Sequence, residues 1–410
     1  MAEKPQHQPL LYFKHQKGDL LINQLPISQL IHRVGQTPFF AYDRSVIEAK
    51  VSELRQAFGP DISLHYAIKS NPMPALVDYI TPLVDGLDVA SGKELTVALN
   101  SGINPEKVSF AGPAKQVNEL LMAIASGITI NIESETELKR IISLCENHQY
   151  KANIALRINP NFDLKSSGMK MAGGPQQFGI DAEQVDTIAE LLKHPSLNVN
   201  GLHIFTGSQN LQAHAIIEAH KHILELAIQI AEQLQLKLQH LNIGGGLGIP
   251  YFPGETSIEL EPIAANLKRL LAEYQTQLNN TEIILELGRF LVGESGVFVS
   301  KVVDVKQSRD HTFIITDGGL HHHLAASGNF GQVIRKNYPV KIANKMDQND
   351  SIKADIVGPL CTPLDILAKN MTFPDVEIGD LVAVFQSGAY GYTASPKDFL
   401  SHPYPLEVLI

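Results

Sequence analysis

The sequence is poor in cysteine and in long apolar runs. Its two cysteines, Cys145 and Cys361, lie far apart and therefore indicate neither a disulfide framework nor a cysteine-based zinc site. No run of about 18 apolar residues occurs, and the N-terminal segment lacks the apolar core of a signal peptide. These absences predict a protein of the reducing cytoplasm that has no membrane partner.

Basic residues are outnumbered as well. Lysine and arginine total 33 against 43 aspartates and glutamates, which gives a formal net charge of −10 at pH 7. Because phosphate backbones select basic surfaces, this charge argues against a nucleic-acid partner. With 44% hydrophobic residues over 410 positions, the chain can bury a large core and is long enough for about two domains.

Short apolar segments rich in β-branched residues alternate with helical patterns through most of the chain. Such alternation predicts a parallel sheet built from βα units. Eight strand segments can be counted, the number that closes a (β/α)8 TIM barrel, and this favours that α/β fold over an open doubly wound sheet. The segments are residues 63–69, 86–91, 107–112, 128–134, 153–159, 199–205, 238–244 and 282–288.

The pattern changes near residue 290. Strand patterns then follow one another without long helices, so residues 291–410 are predicted to form an all-β domain of the barrel or sandwich type. Residues 1–35 have the pattern of a hairpin and a short helix, and their strands are expected to complete that domain. The barrel would then comprise residues 36–290.

Lys69 ends the first barrel strand, in HYAIKSNP. Barrel enzymes place catalytic residues at the carboxyl ends of strands, where a partly desolvated lysine amine can form imines. The alternative is a surface lysine, and Lys69 alone does not decide between the two.

Glycines follow the seventh strand, and a charged pair follows the eighth. Gly244, Gly245 and Gly246 would let backbone N–H groups approach a phosphate closely. In ELGRF, Glu286 can keep the nitrogen of a pyridine ring protonated, and Arg289 can bind a phosphate. Each motif alone also fits a structural role, as a tight turn or as a surface ion pair.

The sixth strand carries two aromatic candidates. His203 and Phe205 share one face of it, because alternate strand residues point to the same side, and either ring could stack on a flat cofactor. Core packing is the alternative for both. Ser208 lies just beyond this strand and could bind phosphate through its hydroxyl group.

Three consecutive histidines, His321, His322 and His323, raise the question of a metal site. Consecutive strand residues alternate between faces, so the three rings cannot all face one ion in regular geometry. We therefore expect no metal here. At most one or two of the rings would serve an active site, with His322 as the candidate for substrate binding.

Nine motifs occur in the order of a known family. From about residue 36 to the C-terminus, the chain resembles the ornithine/diaminopimelate decarboxylases, which are pyridoxal 5′-phosphate enzymes with an alanine racemase-like fold. The motifs are YAIKSNP, GLDVASGKEL, LRINP, GLHIFTGSQ, IGGGLGIPY, ELGRF, TDGG, GPLCTPLD and QSGAYGY.

The resemblance implies an amino-acid decarboxylase in which Lys69 holds the cofactor as a Schiff base. It implies that Cys361 comes from the neighbouring subunit of a head-to-tail homodimer and reprotonates a quinonoid carbon. Asp88 would lie near Lys69, and Arg157 would support the oxygen side of the ring. The family's phosphate ligands correspond to Ser208, Gly245, Gly246, Arg289 and Tyr390.

Two other activities are alternatives on this scaffold. Racemases of this fold tend to place arginine at the ring nitrogen, whereas the carboxylate of Glu286 would strengthen the electron sink that decarboxylation needs. A non-catalytic, cofactor-binding homologue would not need to keep Lys69, Glu286 and Cys361 together. The resemblance therefore favours the decarboxylase.

The chain departs from the better-known members at two site positions. Phe205 stands where they have a ring-stacking histidine, so stacking would fall to Phe205 or be shared with His203. Thr362 stands where ornithine and diaminopimelate enzymes commonly have an acidic residue. An ammonium group removed from water needs a carboxylate, which Asp365 could supply.

A third departure concerns the substrate. The segment after His321 lacks the Arg-Pro-x-Leu-Tyr pattern with which diaminopimelate decarboxylases hold a distal carboxylate. The chain is more similar to the subgroup associated with exosortase and exopolysaccharide clusters, which resembles decarboxylases acting on a glutamyl group carried by an acyl-carrier protein. This implies a carrier-tethered or side-chain-blocked amino acid, with diaminopimelate, ornithine or lysine decarboxylation as the alternative.

Overall fold

The chain forms two compact units. The computed structural model describes residues 5–162, 169–170 and 173–410. The barrel unit comprises Val51–Ile249 and Ser257–Phe290, and the β unit comprises the chain up to Lys50, Pro250–Thr256 and Leu291–Ile410. Among the residues so described, no helix is both long and apolar enough to cross a membrane.

The N-terminal elements belong to the β unit. Three short antiparallel strands come first, β1 (His15–Gln16), β2 (Asp19–Ile22) and β3 (Leu25–Pro26), followed by α1 (Ile27–Val34) and β4 (Phe39–Tyr42). Helix α1 ends at Gly35, whose φ of 86° suits a residue without a Cβ. Helix α2 (Arg44–Phe58) follows and contains the boundary between the two units.

Eight parallel strands close the barrel. In spatial order they are β5 (Ile62–Ala67), β6 (Gly86–Val89), β7 (Val108–Phe110), β8 (Thr129–Ile132), β9 (Ala152–Asn159), β12 (Leu197–Ile204), β14 (His240–Gly245) and β15 (Glu282–Leu287). Strand β15 pairs with β5, which closes the ring. Each predicted strand segment coincides with one of these strands, so the predicted barrel is confirmed.

Three two-residue strands lie at the rim: β10 (Met169–Lys170), β11 (Ile180–Asp181) and β13 (Gly207–Ser208). Strand β10 pairs with β13, and β11 pairs with β9. The remaining helices are α3 (Pro74–Ile80), α4 (Gly92–Asn100), α5 (Val117–Ser126), α6 (Glu135–His148), α7 (Ala189–Leu192), α8 (Ala213–Gln233), α9 (Leu260–Glu273) and α10 (Arg289–Val292).

Local signals explain where these helices begin and which face they bury. The Ser91 side chain accepts a hydrogen bond from Glu94 N at the start of α4, and Ser134 does the same for Glu137 N at the start of α6. Helix α8 is amphipathic, and its buried face repeats at helical spacing. That face consists of Ala215, Ile216, Ala219, His220, Ile223, Leu224, Leu226, Ala227 and Ile230.

The rest of the β unit is a mixed sheet. Its strands are β16 (Gly296–Ser308), β17 (His311–Thr316), β18 (Val340–Ile342), β19 (Ile352–Val357), β20 (Ile366–Phe373), β21 (Leu381–Val384) and β22 (Leu406–Leu409). They follow the order β18-β21-β16-β17-β19-β20. Strand β4 joins the sheet between β16 and β22.

The units differ from the segment boundaries predicted from the sequence. Residues 36–50 belong to the β unit because β4 pairs with β16 and β22 of that unit. Residues 250–256 belong to it as well, and the ring of Tyr251 packs 4.7 Å from that of Tyr338. The hydrophobic core of the β unit includes Leu20, Ile22, Ile27, Leu30, Phe39, Val297, Val299, Ala383 and Phe385.

Candidate active site

Lys69 and Glu286 meet at the carboxyl ends of neighbouring strands. Lys69 lies in the single helical turn that follows β5, and Glu286 is the penultimate residue of β15. Lys69 Nζ lies 3.2 Å from Glu286 Oε1 and donates a hydrogen bond to it. The lysine side chain is 44% exposed and that of the glutamate only 4%, so the amine can be reached from outside while the carboxylate is enclosed.

Cationic and amide groups surround the Glu286 carboxylate. His203 Nε2 lies 3.2 Å from Glu286 Oε2, and Asn242 Nδ2 donates to the same oxygen over 3.4 Å. Burial would raise the pKa of Glu286, but Lys69, His203 and Arg157 together lower this pKa well below its usual value. The barrel therefore holds a buried negative charge beside an accessible amine.

Phe205 is the aromatic ring beside the amine. Lys69 Nζ lies 5.7 Å from the centre of the Phe205 ring. His203 is engaged with Glu286, and its own ring centre is 6.5 Å from that of Phe205, at an angle of 68°. The two rings that the sequence predicted to stack on a cofactor therefore differ in their contacts: Phe205 lies beside Lys69, and His203 lies beside Glu286.

The three glycines after the seventh strand form a bare backbone turn. Gly244 and Gly246 have φ angles of 69° and 76°, which side chains rarely tolerate. A Cβ atom at Gly245 would lie 2.2 Å from Glu286 O, and one at Gly246 would lie 2.7 Å from Gly207 O. Since Gly207 precedes Ser208 in β13, the turn and this hydroxyl belong to one end of the barrel.

Two further predicted site residues are held by acidic or basic partners within the barrel. Arg157 Nη1 lies 2.9 Å from Glu133 Oε1, and its guanidinium carbon lies 4.9 Å from the Phe178 ring centre. Asp88 Oδ2 lies 3.4 Å from His65 Nδ1, and Asp88 Oδ1 accepts a hydrogen bond from Ser109 Oγ. Arg289 is the first residue of α10.

The remaining predicted residues lie in the β unit. Cys361 is exposed, and Tyr390 has a φ of 63° in the turns after β21. Asp365 is buried, and its Oδ1 and Oδ2 accept backbone hydrogen bonds from Leu320 N at 2.6 Å and Leu360 N at 2.8 Å. Asp365 thereby ties together the two loops that contain these amides.

The three consecutive histidines lie in a turn rather than in a strand, so the argument from alternating faces does not apply to them. His322 Nε2 donates a hydrogen bond to Pro403 O over 2.9 Å, and His323 Nε2 is hydrogen-bonded to Ser387 Oγ over 2.9 Å. Burial lowers the pKa of His321 to about 3, of His322 to about 4 and of His323 to about 3. In the described residues, no group of His, Cys, Asp or Glu has the arrangement of a metal site.

Sequence reasoning missed several polar residues of the barrel interior. Asn242 and Glu133 contact the predicted Glu286 and Arg157, and His65 pairs with Asp88. Asn242 could have been found from the sequence. It lies two residues before Gly244 on the same strand, and alternate strand residues point to the same side.

Glu94, at the start of α4, was missed too. Burial raises the pKa of its carboxyl group, whereas a hydrogen bond from Ala90 N and the positive charge of Lys69 act in the opposite direction. Its carboxylate accepts that hydrogen bond over 2.7 Å. Glu94 therefore contributes a further negative charge to the surroundings of Lys69.

Comparisons with known proteins identify the family. Residues 44–293 match the family described as pyridoxal-dependent decarboxylase, pyridoxal binding domain. An L-glutamyl-[BtrI acyl-carrier protein] decarboxylase from Niallia circulans is 37% identical over 95% of this chain and 92% of that protein. A diaminopimelate decarboxylase from Aquifex aeolicus is 33% identical over 97% of this chain and 92% of that protein.

Solved structures give the same result. The crystal structure of diaminopimelate decarboxylase from M. jannaschii in complex with L-lysine has a TM-score of 0.88 and 26% sequence identity, covering 97% of this chain and 92% of that one. The residues present fit pyridoxal phosphate, because a bare glycine turn, an accessible amine and a buried carboxylate occur at one barrel end. The chain belongs to the pyridoxal-dependent decarboxylases.

Proposed function

We propose that the chain decarboxylates an amino acid whose distal end carries no free ammonium group, such as a glutamyl group bound to an acyl-carrier protein. The observation that carries this proposal is the hydrogen bonding of Asp365, the acidic residue nearest to Cys361 in the sequence. Asp365 gives one carboxylate oxygen to Leu320 N and the other to Leu360 N. It is therefore committed to the backbone rather than to a substrate.

The surroundings of Asp365 leave little room for a ligand. A Cβ atom at Gly319 or Gly358 would lie 2.4 Å from a carboxylate oxygen of Asp365, so both glycines pack directly against it. Thr362, which follows Cys361, carries no charge. A distal ammonium group would meet no free carboxylate from this segment, and leaving it unpaired away from water is costly.

The names of two relatives agree with such a substrate. The Niallia circulans relative is named for a glutamyl group on a carrier protein, and a Staphylococcus aureus relative, 29% identical over 94% of this chain, is named 2-[(L-alanin-3-ylcarbamoyl)methyl]-2-hydroxybutanedioate decarboxylase. In the first name the amino acid is an acyl group on the carrier protein. In the second name the nitrogen at the side-chain end of the amino acid is acylated. Neither substrate offers a distal ammonium.

Each barrel residue has a role in this reaction. Bound pyridoxal phosphate supplies the acceptor for the electron pair left at Cα when carbon dioxide departs. Lys69 Nζ would hold the cofactor, and its exposure leaves this position within reach of a substrate amine. Glu286, charged and buried, would hold a proton on the ring nitrogen, with His203 keeping the carboxylate oriented. Phe205, whose ring centre lies 5.7 Å from Lys69 Nζ, would pack against the cofactor ring.

Phosphate binding falls to the glycine turn and its neighbours. The backbone of Gly245 and Gly246 has no side chains in the way of a phosphate, whereas Gly244 N already donates to Asn242 Oδ1 over 2.8 Å. Ser208 and Arg289, also of the barrel unit, would add a hydroxyl and a guanidinium, and Tyr390 of the β unit stays a prediction. Arg157 and Asp88 act from inside the barrel, and His322 stays a prediction for substrate binding.

We propose further that two copies of the chain share their active sites. Cys361, the proton donor to Cα, is exposed on the β unit. Large apolar side chains are exposed in the same part of that unit: Phe330, Val333, Ile334 and Leu364. The Asn329 side chain donates to Leu364 O, which joins the two loops, and burying this apolar surface against a second copy would favour association. A cytoplasmic location also stays a prediction.

Carbon dioxide release from a panel of substrates tests the proposed specificity. The panel comprises an L-glutamyl carrier-protein thioester, free L-glutamate, meso-diaminopimelate, L-ornithine and L-lysine. We expect kcat/KM for the thioester to exceed that for each diamino acid by roughly 10²-fold or more, because a site without a carboxylate leaves the ammonium unpaired. Faster turnover of diaminopimelate, ornithine or lysine would contradict the proposal.

A pair of variants sharpens this test. Thr362→Asp adds the missing carboxylate, so it should raise the relative kcat/KM for ornithine or lysine, whereas Thr362→Ser keeps the position uncharged and should not. If Thr362→Asp and Thr362→Ser change the substrate preference equally, charge at this position does not select the substrate.

A further inference from the structure

The interior of the barrel is polar below the predicted site. Barrels of this kind are usually filled by layers of branched aliphatic side chains. Here a cavity of about 40 Å³ lies inside the barrel unit. Its polar lining includes His65, Asp88, Ser109, Asn131, His240 and Asn242.

Two glycines make room for two histidines in this interior. A Cβ atom at Gly86 would lie 2.3 Å from His65 Nε2, and one at Gly201 would lie 2.5 Å from His240 Cδ2. Since these distances are far below any van der Waals contact, a side chain at either glycine would displace the ring. The sequence thus accommodates both imidazoles inside the barrel.

The two histidines differ in their charge. Burial would lower the pKa of His65, but Asp88 and, more weakly, Glu282 and Glu286 raise it above its usual value. Burial lowers the pKa of His240 to about 4. Within one cavity, the carboxylate of Asp88 therefore favours the protonated form of His65, whereas burial favours the neutral form of His240.

Asp88, the partner of His65, is itself held in place by hydrogen-bonding side chains. Asp88 Oδ2 lies 3.4 Å from His65 Nδ1, while Asp88 Oδ1 accepts from Ser109 Oγ. Asn131 Nδ2 donates to that same Ser109 oxygen over 3.1 Å. Asp88 is thereby held in place as the counter-charge of His65.

His65 is also next to Glu286. The two are directly paired residues on the neighbouring strands β5 and β15. Asn242 lines the cavity with His65 and donates to Glu286 Oε2. The titratable groups that face His65 come from three strands: Asp88 on β6, Glu282 and Glu286 on β15, and His240 on β14. Lys107 Nζ pairs with Glu282 Oε1 over 3.0 Å.

We propose that His65 is a positioning residue of the decarboxylase: paired with Asp88 inside the barrel and opposite Glu286 on the neighbouring strand, it supplies a positive charge that helps to keep the Glu286 carboxylate ionised. The role assigned to Glu286 rests on the proposed function. The charge state of His65 does not depend on the proposed function, so an experiment can contradict either one without contradicting the other.

The sign of the effect follows from electrostatics. A cation near Glu286 favours the carboxylate over the carboxylic acid, so removing it raises the pKa of Glu286. The acid limb of the kcat profile of His65→Gln should then move to higher pH. His240→Gln is the matched control, because it replaces an uncharged histidine of the same cavity and should leave the acid limb where it is.

Imidazole ¹⁵N NMR of the cofactor-free chain, labelled at histidine, tests the charge without any activity. We expect one resonance, absent from His65→Gln, to stay protonated at pH 7, and one absent from His240→Gln to be neutral. If His65→Gln does not fold, Asp88→Asn gives the same test, because His65 should then become neutral.

Two results would overturn the proposal. One is a neutral His65 at pH 7 in the wild-type chain. The other is an acid limb that moves equally in His65→Gln and His240→Gln, since a merely structural role would affect both alike. If the chain proves not to decarboxylate the tested substrates, a protonated His65 together with a shift in the pH titration of the bound cofactor's absorption still supports the positioning role.

Discussion

The contact between Lys69 and Glu286 combines two side chains with opposite requirements. The amine must reach the cofactor and the substrate, and it is 44% exposed, whereas the carboxylate must stay charged away from water and is only 4% exposed. His203 and Asn242 supply Glu286 with the partners that burial removes. Glu286 therefore has two polar partners besides the Lys69 amine.

Replacing Lys69 tests its covalent role. Lys69→Ala should leave the chain folded, because the side chain is partly exposed, but it should abolish borohydride-dependent attachment of the cofactor and reduce decarboxylation by roughly 10²-fold or more. Fluorescence of the cofactor on the denatured chain measures the attachment. Lys139→Ala, which removes an exposed lysine paired with Glu135 on α6, is the control. Retained attachment in Lys69→Ala would show that another residue holds the cofactor.

At the residue scale, the sequence predicted the reactive groups better than their supports. Lys69 and Glu286 end strands and belong to recognisable motifs. Glu133 and His65 are buried inside the barrel, and a buried polar strand residue reveals its purpose only when its partner is known. Those partners are distant in the sequence, so no local pattern names them.

Among the elements, the glycine turn after β14 makes a strong demand on the backbone. Gly246 has a φ of 76°, and a Cβ atom there would lie 2.7 Å from Gly207 O. Gly102 has nearly the same φ, 77°, but a Cβ atom there would meet nothing within 4 Å. Substitutions at Gly102 therefore test backbone strain alone, whereas substitutions at Gly246 test backbone strain together with crowding in the glycine turn.

Alanine at these two glycines should have different effects. Each substitution should destabilise the chain by about 1–2 kcal/mol, because alanine disfavours the left-handed region. Gly246→Ala should in addition weaken cofactor binding, since it moves the turn away from Gly207, whereas Gly102→Ala should not. Titration of each cofactor-free variant with pyridoxal phosphate measures this, and equal affinities would exclude a role of the turn in phosphate binding.

The elements were also predicted unevenly. All eight barrel strands followed from their apolar runs, because both faces of a parallel strand are buried. Strand β18, with three residues, and β22, with no fully buried residue, have no such run. The histidine triplet lies in a turn although it was treated as a strand, since its hydrogen bonds to Gly319 O depend on a fold that the local sequence does not specify.

On the scale of the whole molecule, the distribution of exposed apolar side chains is uneven. Most of the large ones belong to the β unit, including Val333, which is fully exposed, and Ile334, which is 77% exposed. Cys361 is exposed on that unit, whereas Lys69 and Glu286 belong to the barrel unit. If Cys361 serves the barrel of a second copy, inactive variants of the two units should complement each other.

Mixing Lys69→Ala with Cys361→Ala tests this sharing. Each variant alone lacks a complete site, but half of the dimers formed by random exchange of equal amounts contain one of each chain. In such a dimer, one site combines the intact lysine of one copy with the intact cysteine of the other. We expect the mixture, after subunit exchange, to recover about a quarter of the wild-type decarboxylation rate.

The control for this recovery is a mixture of Lys69→Ala with Glu286→Gln. Lys69 and Glu286 are 3.2 Å apart within one barrel, so no exchange of subunits can bring an intact lysine and an intact glutamate of different copies into one site. This mixture should stay inactive. Recovery in both mixtures would point to contamination or reversion, and recovery in neither would mean that each chain uses its own Cys361 or does not need it.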